Sequence, residues 1–344
     1  MGLRDFSIAT LGSHSALQIL KGAKDEGFKT IAVCKSGMVK PYQAFPVAEE
    51  IIEIPRFEDF LTVEQQLIKK NAILIPHGSF VAYLGVEKVK GIKAMYFGSK
   101  AILEWESNRE KEAGWLGRAG ITLPKIFTNP KEIDRPVIVK FYGAHGGRGY
   151  FITNNVKHFQ ERIKLHKGEQ YVIQEYILGV PIYVHYFYSP LNDEVEIMSC
   201  DIRYESNVDA LGRIMARDQI TFEKFDPSYV VVGNKPVVLR ESLLNKMLEL
   251  GEAVVQESKK ITPKGLFGPF SLEGVITPNQ DFIVFEISAR IVAGTNPYIA
   301  GSPYTALKYN EPMSTGRRIA REIRMAIEQD RLHEVIDNDH AGRN

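Results

Sequence analysis

The sequence is poor in cysteine, in long apolar runs and in net charge, and each shortage excludes a class of protein. The 344 residues include two cysteines, Cys34 and Cys200, each within an apolar stretch, so no disulfide framework is expected and a cytoplasmic setting is the simplest. No apolar run approaches the roughly 20 residues that span a bilayer, and residues 1–7 lack the apolar core of a signal peptide. With 43 basic and 42 acidic residues, the net charge of +1 gives no reason to expect a nucleic-acid or membrane partner.

The first hundred residues alternate between short apolar runs and amphipathic segments. Strands are predicted at 6–11, 30–34, 50–54 and 72–75, with helices at 16–26 and 58–70. Such a βαβ rhythm predicts an α/β domain with a parallel, doubly wound sheet.

The rest of the chain has longer strands with aromatic and β-branched residues, which predicts an α+β fold. Helices are expected at 99–105, 108–118, 241–260 and 314–329, and strands at 137–141, 150–153, 171–177, 182–188, 194–205, 270–276 and 282–289. We therefore divide the chain into an N-terminal doubly wound domain (1–98), linker helices with a lid lobe (99–190), a C-terminal lobe (191–336) and a loose polar tail (337–344).

A glycine-rich loop follows the strand that carries Lys140. Four glycines lie within residues 143–149, among them Gly143, Gly146 and Gly147, and they would let the backbone wrap a polyphosphate with its N–H groups. The Lys140 ammonium could then meet a phosphate oxygen. Because no Gly-Lys-Ser/Thr opens a helix here, the loop is not a Walker A motif. A mobile hairpin loop is the alternative.

Two acidic residues interrupt apolar runs on either side of a turn signal at 277–281. Glu273 and Glu286 are therefore predicted to face the same side of a β-hairpin, where they would repel each other unless a cation lay between them. Hard oxygen ligands that leave room for phosphate oxygens suit Mg²⁺. Arg290 is expected on the same strand face, holding a phosphate or an acyl phosphate, or pairing with an acid. Two exposed hairpin acids are the alternative.

In order and spacing these elements resemble the ATP-grasp superfamily, over roughly residues 95–300. The match includes the segments 97–102, 108–111 and 119–124. The resemblance implies an ATP-grasp fold with ATP phosphates at Arg109 and Lys140, an adenine hinge at Gln174, Glu175, Tyr176 and Ile177, and Mg²⁺, or Mn²⁺ as an alternative, at Glu273 and Glu286. Without the resemblance, the hinge segment would be interpreted as an ordinary half-buried strand.

Two positions depart from the family pattern. Ser288 replaces the asparagine that often follows the second metal-binding acid, so a second metal ion would lack a ligand. No acid follows Gly179 to hold the ribose, and Glu205 is the candidate substitute.

A closer resemblance covers the whole chain and is to the archaeal formate-dependent purine-biosynthesis ligases. It rests on the segments 12–19, 201–207, 233–234, 240–242 and 286–291. The resemblance implies that the substrates are ATP, formate and aminoimidazole carboxamide ribonucleotide, and that the product is the formylated ribonucleotide. Two alternatives stay open: a ligase for another carboxylate and amine, and a nucleotide-binding protein without turnover.

A ribonucleotide substrate brings a phosphate monoester, which residues of the first domain suit. His14 and Ser15 lie at the start of the first helix, where N–H groups and the helix dipole favour an anion, although His14 would also serve as a polar cap. Ser79 follows the fourth strand, at the edge where doubly wound sheets bind ligands. Asn234 offers a donor and an acceptor to the carboxamide or amine of the base, or is a turn residue.

The predicted mechanism starts with attack of formate on the γ-phosphate of ATP and continues with attack of the substrate amine on formyl phosphate. Arg109, Lys140 and Mg²⁺ would spread the developing charge. Formate would be held by Arg203, Arg217 or Arg290, and the sequence does not choose among them. The aromatic strand at 183–188 would lie in the core or in a subunit contact of a homo-oligomer.

Overall fold

The computed structural model describes residues 2–141, 150–215, 218 and 228–337. The strands within these residues form three sheets. No helix of this part of the chain is long and apolar enough to cross a bilayer.

The N-terminal sheet is parallel, with the strand order β3-β2-β1-β4-β5, which confirms the predicted doubly wound arrangement. Its strands are β1 (Ser7–Leu11), β2 (Lys29–Lys35), β3 (Glu50–Ile54), β4 (Ala72–Leu74) and β5 (Met95–Tyr96). The accompanying helices are α1 (Ala16–Asp25), α2 (Lys40–Ala44), α3 (Glu64–Lys69), α4 (Phe80–Leu84) and α5 (Val86–Lys90). Every residue of the central strand β1 is buried, as expected for a strand covered on both faces.

The helix predicted at 58–70 is wrong in detail. A 3-10 helix, Phe57–Thr62, comes first, and α3 begins only at Glu64. Phe57 and Phe60 point into the core from the 3-10 segment and Leu67 from α3, so the apolar spacing is spread over two short elements rather than one helix.

Two capped helices connect the first sheet to the second. They are α6 (Lys100–Glu106) and α7 (Arg109–Arg118). Ser99 Oγ accepts a hydrogen bond from Ile102 N at 3.3 Å, and Asn108 Oδ1 accepts from Lys111 N at 3.0 Å, so each helix begins at a side-chain cap.

The second sheet, called the lid sheet below, is antiparallel with the order β6-β9-β7-β8. Its elements are β6 (Ile126–Phe127), β7 (Val137–Phe141), β8 (Tyr150–Thr153), α8 (Val156–Ile163) and β9 (Tyr171–Glu175). Strand β9 therefore ends two residues before the predicted end at 177. The apolar side chains of the lid sheet form a core of their own.

The third sheet, called the C-terminal sheet below, is antiparallel with the order β12-β11-β10-β13-β14. Its strands are β10 (Val180–Ser189), β11 (Glu194–Glu205), β12 (Val231–Val237), β13 (Gly268–Ile276) and β14 (Phe282–Ser288). The helices of this region are α9 (Ser206–Leu211), α10 (Glu241–Ser258), α11 (Pro303–Lys308), α12 (Thr315–Glu328) and α13 (Leu332–Val335). Further 3-10 helices lie at Leu3–Asp5, Pro130–Glu132, Lys164–His166 and Ala293–Tyr298.

The N-terminal and C-terminal sheets share one continuous core. Tyr186 and Phe187 of β10 lie within it, so the aromatic strand packs in the core of the chain. The chain also returns to the first domain at its end: Asp337, expected in the loose tail, donates N–H to Tyr96 O at 2.7 Å and accepts from Lys100 N at 2.7 Å.

Helices α1 and α12 cross at two glycines. A Cβ placed on Gly22 would lie 2.2 Å from Arg317 N, and one on Gly316 would lie 2.3 Å from Gln18 O. Since both neighbours are backbone atoms, the helices could accommodate a side chain only by moving apart.

We expect Gly22→Ala to lower the free energy of unfolding by about 1–3 kcal/mol, because the added methyl group overpacks this crossing. Gly117→Ala is the matched control, since a methyl group on this exposed helical glycine would have no neighbouring atom within 4 Å. It should be neutral or stabilise the chain by up to about 1 kcal/mol. Urea unfolding of both variants tests the contrast, and equal effects would contradict it.

Candidate active site

The site is built on one face of the C-terminal sheet. On β10, β11, β13 and β14 polar residues alternate with apolar ones, and alternate residues of a strand share a face. The apolar members, such as Val184, Leu272 and Ile287, enter the core. The opposite face, called the polar face below, carries Tyr183, His185, Asp201, Arg203, Asn234, Ser271, Glu273, Glu286 and Ser288.

Strand register brings these side chains together. Tyr183 pairs with Asp201 on one side and with Glu273 on the other, and Glu273 pairs with Glu286. Directly paired residues in an antiparallel sheet project from the same face. The two predicted metal-binding acids are therefore neighbours on one face of a hairpin, as the sequence analysis expected.

Glu273 is almost fully buried, with 1% of its surface exposed, and both its oxygens accept hydrogen bonds. Arg203 Nη2 donates to Oε2, and Ser288 Oγ donates to Oε1 at 3.0 Å. A buried carboxylate needs such compensation. Ser288, which the sequence analysis treated as a lost metal ligand, thus orients the first acid, while the Arg203 guanidinium stacks over the Tyr183 ring at 4.1 Å.

Glu286 lies beside Glu273 but is open to solvent in the cleft between the lid sheet and the polar face. Enclosure by protein and then the Glu273 carboxylate raise the pKa of Glu286, against the pull of nearby cations. Because water reaches Glu286, enclosure raises its pKa less than burial would, and the neighbouring Glu273 carboxylate is the more important cause of the shift.

Lys140 faces this acid from strand β7 of the lid sheet. Burial lowers the pKa of Lys140, while the Glu286 carboxylate opposes that shift. Its Nζ also lies 5.8 Å from the centre of the Phe285 ring. The structure therefore brings Lys140 and the acid pair to opposite sides of one cleft.

Arg290 lies beyond the end of β14 at Ser288, so its predicted place on the strand face is wrong. Its Nη2 pairs instead with Glu106 Oε1 of α6 at 2.7 Å. Its Nη1 is buried, and no group among the residues that the structure describes accepts a hydrogen bond from it. One arm of Arg290 is thus fixed, and the other has no acceptor among the described residues.

Two acids of the linker helices bind the backbone of β14 and the residue that follows it. Glu112 Oε1 accepts from Ile287 N at 2.7 Å, and Glu106 Oε2 accepts from Ala289 N at 2.8 Å. Burial, followed by the nearby Glu286 charge, raises the pKa of Glu112 to about 9. Glu112 is therefore protonated at neutral pH and serves the strand as a neutral acceptor.

The predicted adenine hinge lies where β9 leaves the lid sheet. The N–H groups of Glu175 and Tyr176 are already bonded to Lys125 O at 2.8 Å and Pro136 O at 2.9 Å. The Glu175 side chain pairs with Arg135 at 3.1 Å. Gln174 pairs with both neighbouring strands of the sheet. Of the four hinge residues, Ile177 keeps an N–H that is not engaged by any described group.

An aromatic cluster adjoins the hinge. Tyr176 OH lies 3.3 Å from Tyr229 OH, and the rings of Tyr150 and Tyr229 meet edge-on at 5.1 Å. Glu205, the proposed ribose ligand, ends β11 nearby, and burial raises its pKa to about 7.

His14 lies at the carboxyl edge of the N-terminal sheet with φ of 54°, a left-handed conformation uncommon for histidine. Its Nδ1 lies 2.9 Å from Ser15 Oγ, and its ring stacks on His77 at 5.4 Å. Ser15 is buried and makes no cap hydrogen bond with the helix. A Cβ at Gly78 would meet His14 Nε2 at 2.5 Å, so His14 and the 76–79 segment, with Ser79, lie side by side.

Asn234 pairs with Arg203 across β11 and β12, and its Nδ2 donates to Asp201 Oδ2 at 2.7 Å. It therefore lies in a strand, which excludes its interpretation as a turn residue.

Four of the predicted site residues lie outside the described residues: Gly143, Gly146, Gly147 and Arg217. Arg109 begins α7, and its positive charge acts on Lys140.

The chain is similar to known proteins along nearly all of its length. Residues 8–127 match a family described as a protein of unknown function (DUF1246), and residues 153–337 match a domain of unknown function (DUF1297). A Pyrococcus abyssi protein called 5-formaminoimidazole-4-carboxamide-1-(beta)-D-ribofuranosyl 5'-monophosphate synthetase is 56% identical over 338 residues, covering 96% of this chain and 98% of that protein. The chain belongs to this synthetase family.

Solved structures show the same fold. A crystal structure described as an IMP biosynthesis protein PurP from Thermococcus kodakaraensis has a TM-score of 0.77 at 32% identity, covering 96% of this chain and 100% of that chain. An N5-carboxyaminoimidazole synthetase from Staphylococcus aureus with ADP has a TM-score of 0.63 at 17% identity, covering 87% and 74%, and this likeness concerns the fold alone. The predicted ATP-grasp fold and the predicted enzyme class, a ligase of purine biosynthesis, are confirmed.

Several residues of the candidate site were not predicted from the sequence. They are His77, Glu106, Glu112, Tyr183, His185, Asp201 and Ser271. Four of them belong to the polar face, and a signal was present, because Tyr183 and His185, like Ser271 and Glu273, occupy alternate positions of apolar strands. Nothing in the local sequence marks Glu106 or Glu112, whose partners lie far along the chain.

The buried residue His77, which stacks on the exposed ring of His14, gives the synthetase a pH-dependent stability. Burial, then the neighbouring charges of His14 and Arg290, lowers the pKa of His77 to about 3. Enclosure and then the Arg290 charge also lower the pKa of His14, but water reaches the His14 side chain and weakens the effect of enclosure. His77 Nε2 donates to Leu11 O at 3.1 Å, and its Nδ1 accepts from Ser79 N at 3.3 Å. The bond that Nδ1 accepts requires the neutral ring, because a protonated ring carries a hydrogen on both nitrogens.

Below about pH 6.5 the unfolded chain binds a proton at each of these histidines before the folded chain does. Stability should therefore fall as the pH falls, by up to about 1.4 kcal/mol per pH unit for His77. His77→Gln keeps a donor for Leu11 O but does not titrate, so its urea-unfolding free energy should fall less steeply between pH 6.5 and 4.5. Parallel curves for the variant and the wild type would refute the assignment.

Proposed function

We propose that this synthetase formylates the 5-amino group of aminoimidazole carboxamide ribonucleotide with formate and ATP. The observation that carries the proposal is the polar face, where Glu273 and Glu286 lie side by side with Arg203, opposite Lys140. A formate oxygen attacks the γ-phosphorus, the bond to the β-phosphate oxygen breaks, and ADP leaves. The substrate amine then attacks the formyl carbon, phosphate leaves, and the nitrogen loses a proton.

The donor set fits Mg²⁺. Glu273 and Glu286 present carboxylate oxygens on adjacent strands, and their mutual repulsion is relieved by a cation. No group of three or more metal-ligating side chains occurs among the described residues, so the ion would share phosphate oxygens and water, as Mg²⁺ prefers. When bound, Mg²⁺ or Mn²⁺ would neutralise the charge that develops on the phosphates.

ATP fits between the lid sheet and the polar face. The N–H of Ile177, which no described group engages, would bind an adenine edge, and Glu205 at the end of β11 would supply a carboxyl for the ribose. Arg109 and Lys140 provide positive charge for the phosphates from the lid side.

Arg290 is the residue that we assign to formate. Arg203 is committed to Glu273, whereas Arg290 Nη1 is buried without a partner among the described groups. A carboxylate forms a charge-assisted hydrogen bond with such a guanidinium arm. Glu106 holds the other arm, so the free arm keeps a fixed direction.

The ribonucleotide phosphate fits beside His14 and Ser79, at the carboxyl edge of the N-terminal sheet. The base then extends towards Asn234 on the polar face, since Asn296 of the C-terminal region donates to His14 O at 3.2 Å and links the two regions.

The substrates of this ligase are small molecules. We place the reaction in the cytoplasm, which the free buried cysteines Cys34 and Cys200 support, and keep a homo-oligomer as a prediction.

Phosphate release is the test of this function. Purified protein with ATP, Mg²⁺, formate and the ribonucleotide should release phosphate and form the formylated ribonucleotide, and omission of any one component should abolish product formation. Binding of ATP without release under every combination would reject the proposal.

Glu273→Gln should lower kcat in this assay by about 100-fold or more, because the metal site loses a charge that counts most in the transition state. Asp281→Asn is the control, since Asp281 is an exposed acid on the same hairpin, 3.5 Å from Lys246. It should keep near wild-type turnover. Similar losses in both variants would point to damage of the hairpin and not to metal binding.

Binding of the phosphate should change the protonation of His14. Enclosure by protein and then the Arg290 charge lower the pKa of His14 in the free protein, and an adjacent phosphate dianion favours the charged ring. We expect proton uptake on ribonucleotide binding at pH 6.5, seen by calorimetry as an enthalpy that depends on the buffer. His14→Asn should remove that dependence and weaken binding by about 1.5–3 kcal/mol. Unchanged affinity would place the phosphate elsewhere.

A further inference from the structure

A chain of hydrogen bonds runs under the polar face and ends at Asn234. Ser271 Oγ lies 2.6 Å from His185 Nδ1, and His185 Nε2 lies 2.8 Å from Asp201 Oδ1. Asp201 Oδ2 in turn accepts from Asn234 Nδ2 at 2.7 Å. Ser271, His185 and Asp201 are each 1% exposed, whereas Asn234 is half-buried at the cleft. The mechanism above assigns no role to the three buried members.

The chemistry of Asp201 fixes the direction of the chain. An ionised carboxylate only accepts hydrogen bonds, so His185 must present N–H to one oxygen and Asn234 must present its NH₂ group to the other. The carbonyl oxygen Oδ1 of Asn234 then points away from Asp201. No described group donates to it, so it is available as an acceptor in the cleft.

The packing around Asp201 leaves it no second position. A Cβ on Gly294 would lie 2.2 Å from Asp201 Oδ1 and 2.7 Å from His185 Cε1. The 3-10 segment Ala293–Tyr298 thus closes over the pair, and only a glycine fits there. Because the Asp201 and His185 side chains cannot rotate, they fix the orientation of the Asn234 amide that is bonded to Asp201.

We propose that Asp201, His185 and Ser271 are positioning residues that hold the Asn234 amide with Oδ1 towards the cleft, where it accepts an N–H of the substrate carboxamide. The inference rests on the proposed function. Asn234 is on β12, at the edge of the sheet opposite to β14. The amine must meet the acyl phosphate on the side of Glu273 and Glu286, so the carboxamide is the group on the Asn234 side.

This arrangement makes the site selective for a substrate group that donates a hydrogen bond. A carboxamide N–H satisfies Asn234 Oδ1, whereas a carboxylate at the same position of the base places oxygen against oxygen. A site built to bond an N–H rejects a ligand without it, because its own polar atom then stays unpaired. The aminoimidazole carboxylate ribonucleotide differs from the substrate in this group alone and is therefore the informative probe.

A pair of reciprocal substitutions tests the proposal. In Asp201→Asn the new amide can keep the bond to His185 through its oxygen and donate its NH₂ to Asn234, which then turns its own NH₂ to the cleft. In Asn234→Asp two carboxylates face each other. In the double variant Asp201→Asn/Asn234→Asp the amide at position 201 donates to the carboxylate at position 234, and an oxygen again faces the ligand.

The measurement is the dissociation constant for each ribonucleotide by calorimetry, without ATP, and thermal stability is recorded for each variant. The wild type should prefer the carboxamide by at least about 10-fold. Asp201→Asn should lower carboxamide affinity by about 10–100-fold and abolish that preference. The double variant should regain the preference. His185→Phe keeps the carboxylate that accepts from Asn234, so it should reduce the preference less than Asp201→Asn does, while Asp201 loses one of its two donors.

Ser189→Ala is the matched structural control. It removes another buried hydroxyl of β10, which donates to Glu322 Oε1 at 2.7 Å, and should lower stability without changing the ratio of the two affinities. If Asp201→Asn lowers stability and leaves the ratio unchanged, or if the double variant is no better than Asp201→Asn, the positioning role is overturned. A wild type that binds neither ribonucleotide would instead overturn the proposed function, and the inference with it.

Discussion

The pairing of Glu273 with Arg203 and Ser288 is the interaction on which the site depends. A carboxylate that is 1% exposed would be neutral or unstable without these donors. With them both its oxygens are satisfied on a sheet whose other face is the hydrophobic core. The same demand for compensation explains the neighbouring residues, since His185, Asp201 and Asn234 satisfy one another along the same face. Most polar side chains of this face thus satisfy one another, and Glu286 and Asn234 reach the cleft.

The edge of the sheet next to Glu286 is under a second constraint. Strand β14 is an edge strand, and an unpaired edge leaves backbone N–H groups without partners. Glu112 meets this need at Ile287, and Thr122 O accepts from Val284 N at 3.0 Å. The linker therefore serves as a substitute for a sixth strand. Its attachment also fixes α7, and so Arg109 at its start, relative to the acid pair.

Much of this arrangement was predictable from the sequence, because strand periodicity and turn chemistry are local. The acid pair Glu273 and Glu286, the turn between them and the βαβ rhythm each depend on residues within a short window. The placement of Arg290 was not predictable in this way. Its partner Glu106 lies on a helix far earlier in the chain, and no periodic pattern carries that information. The same holds for His77, whose neutral state depends on burial against His14.

The separation of the lid core from the main core bears on how the cleft works. The lid sheet packs around residues such as Val139 and Phe151, whereas the N-terminal and C-terminal sheets share a single core. A unit with its own core can move as a body without exposing the interior of the rest. What faces across the cleft is charge, with Lys140 on one side and Glu286 on the other. A polyphosphate entering between them would attract Lys140 and repel Glu286 unless a metal ion came with it. Nucleotide and metal ion together would therefore complement both walls of the cleft, which neither would do alone.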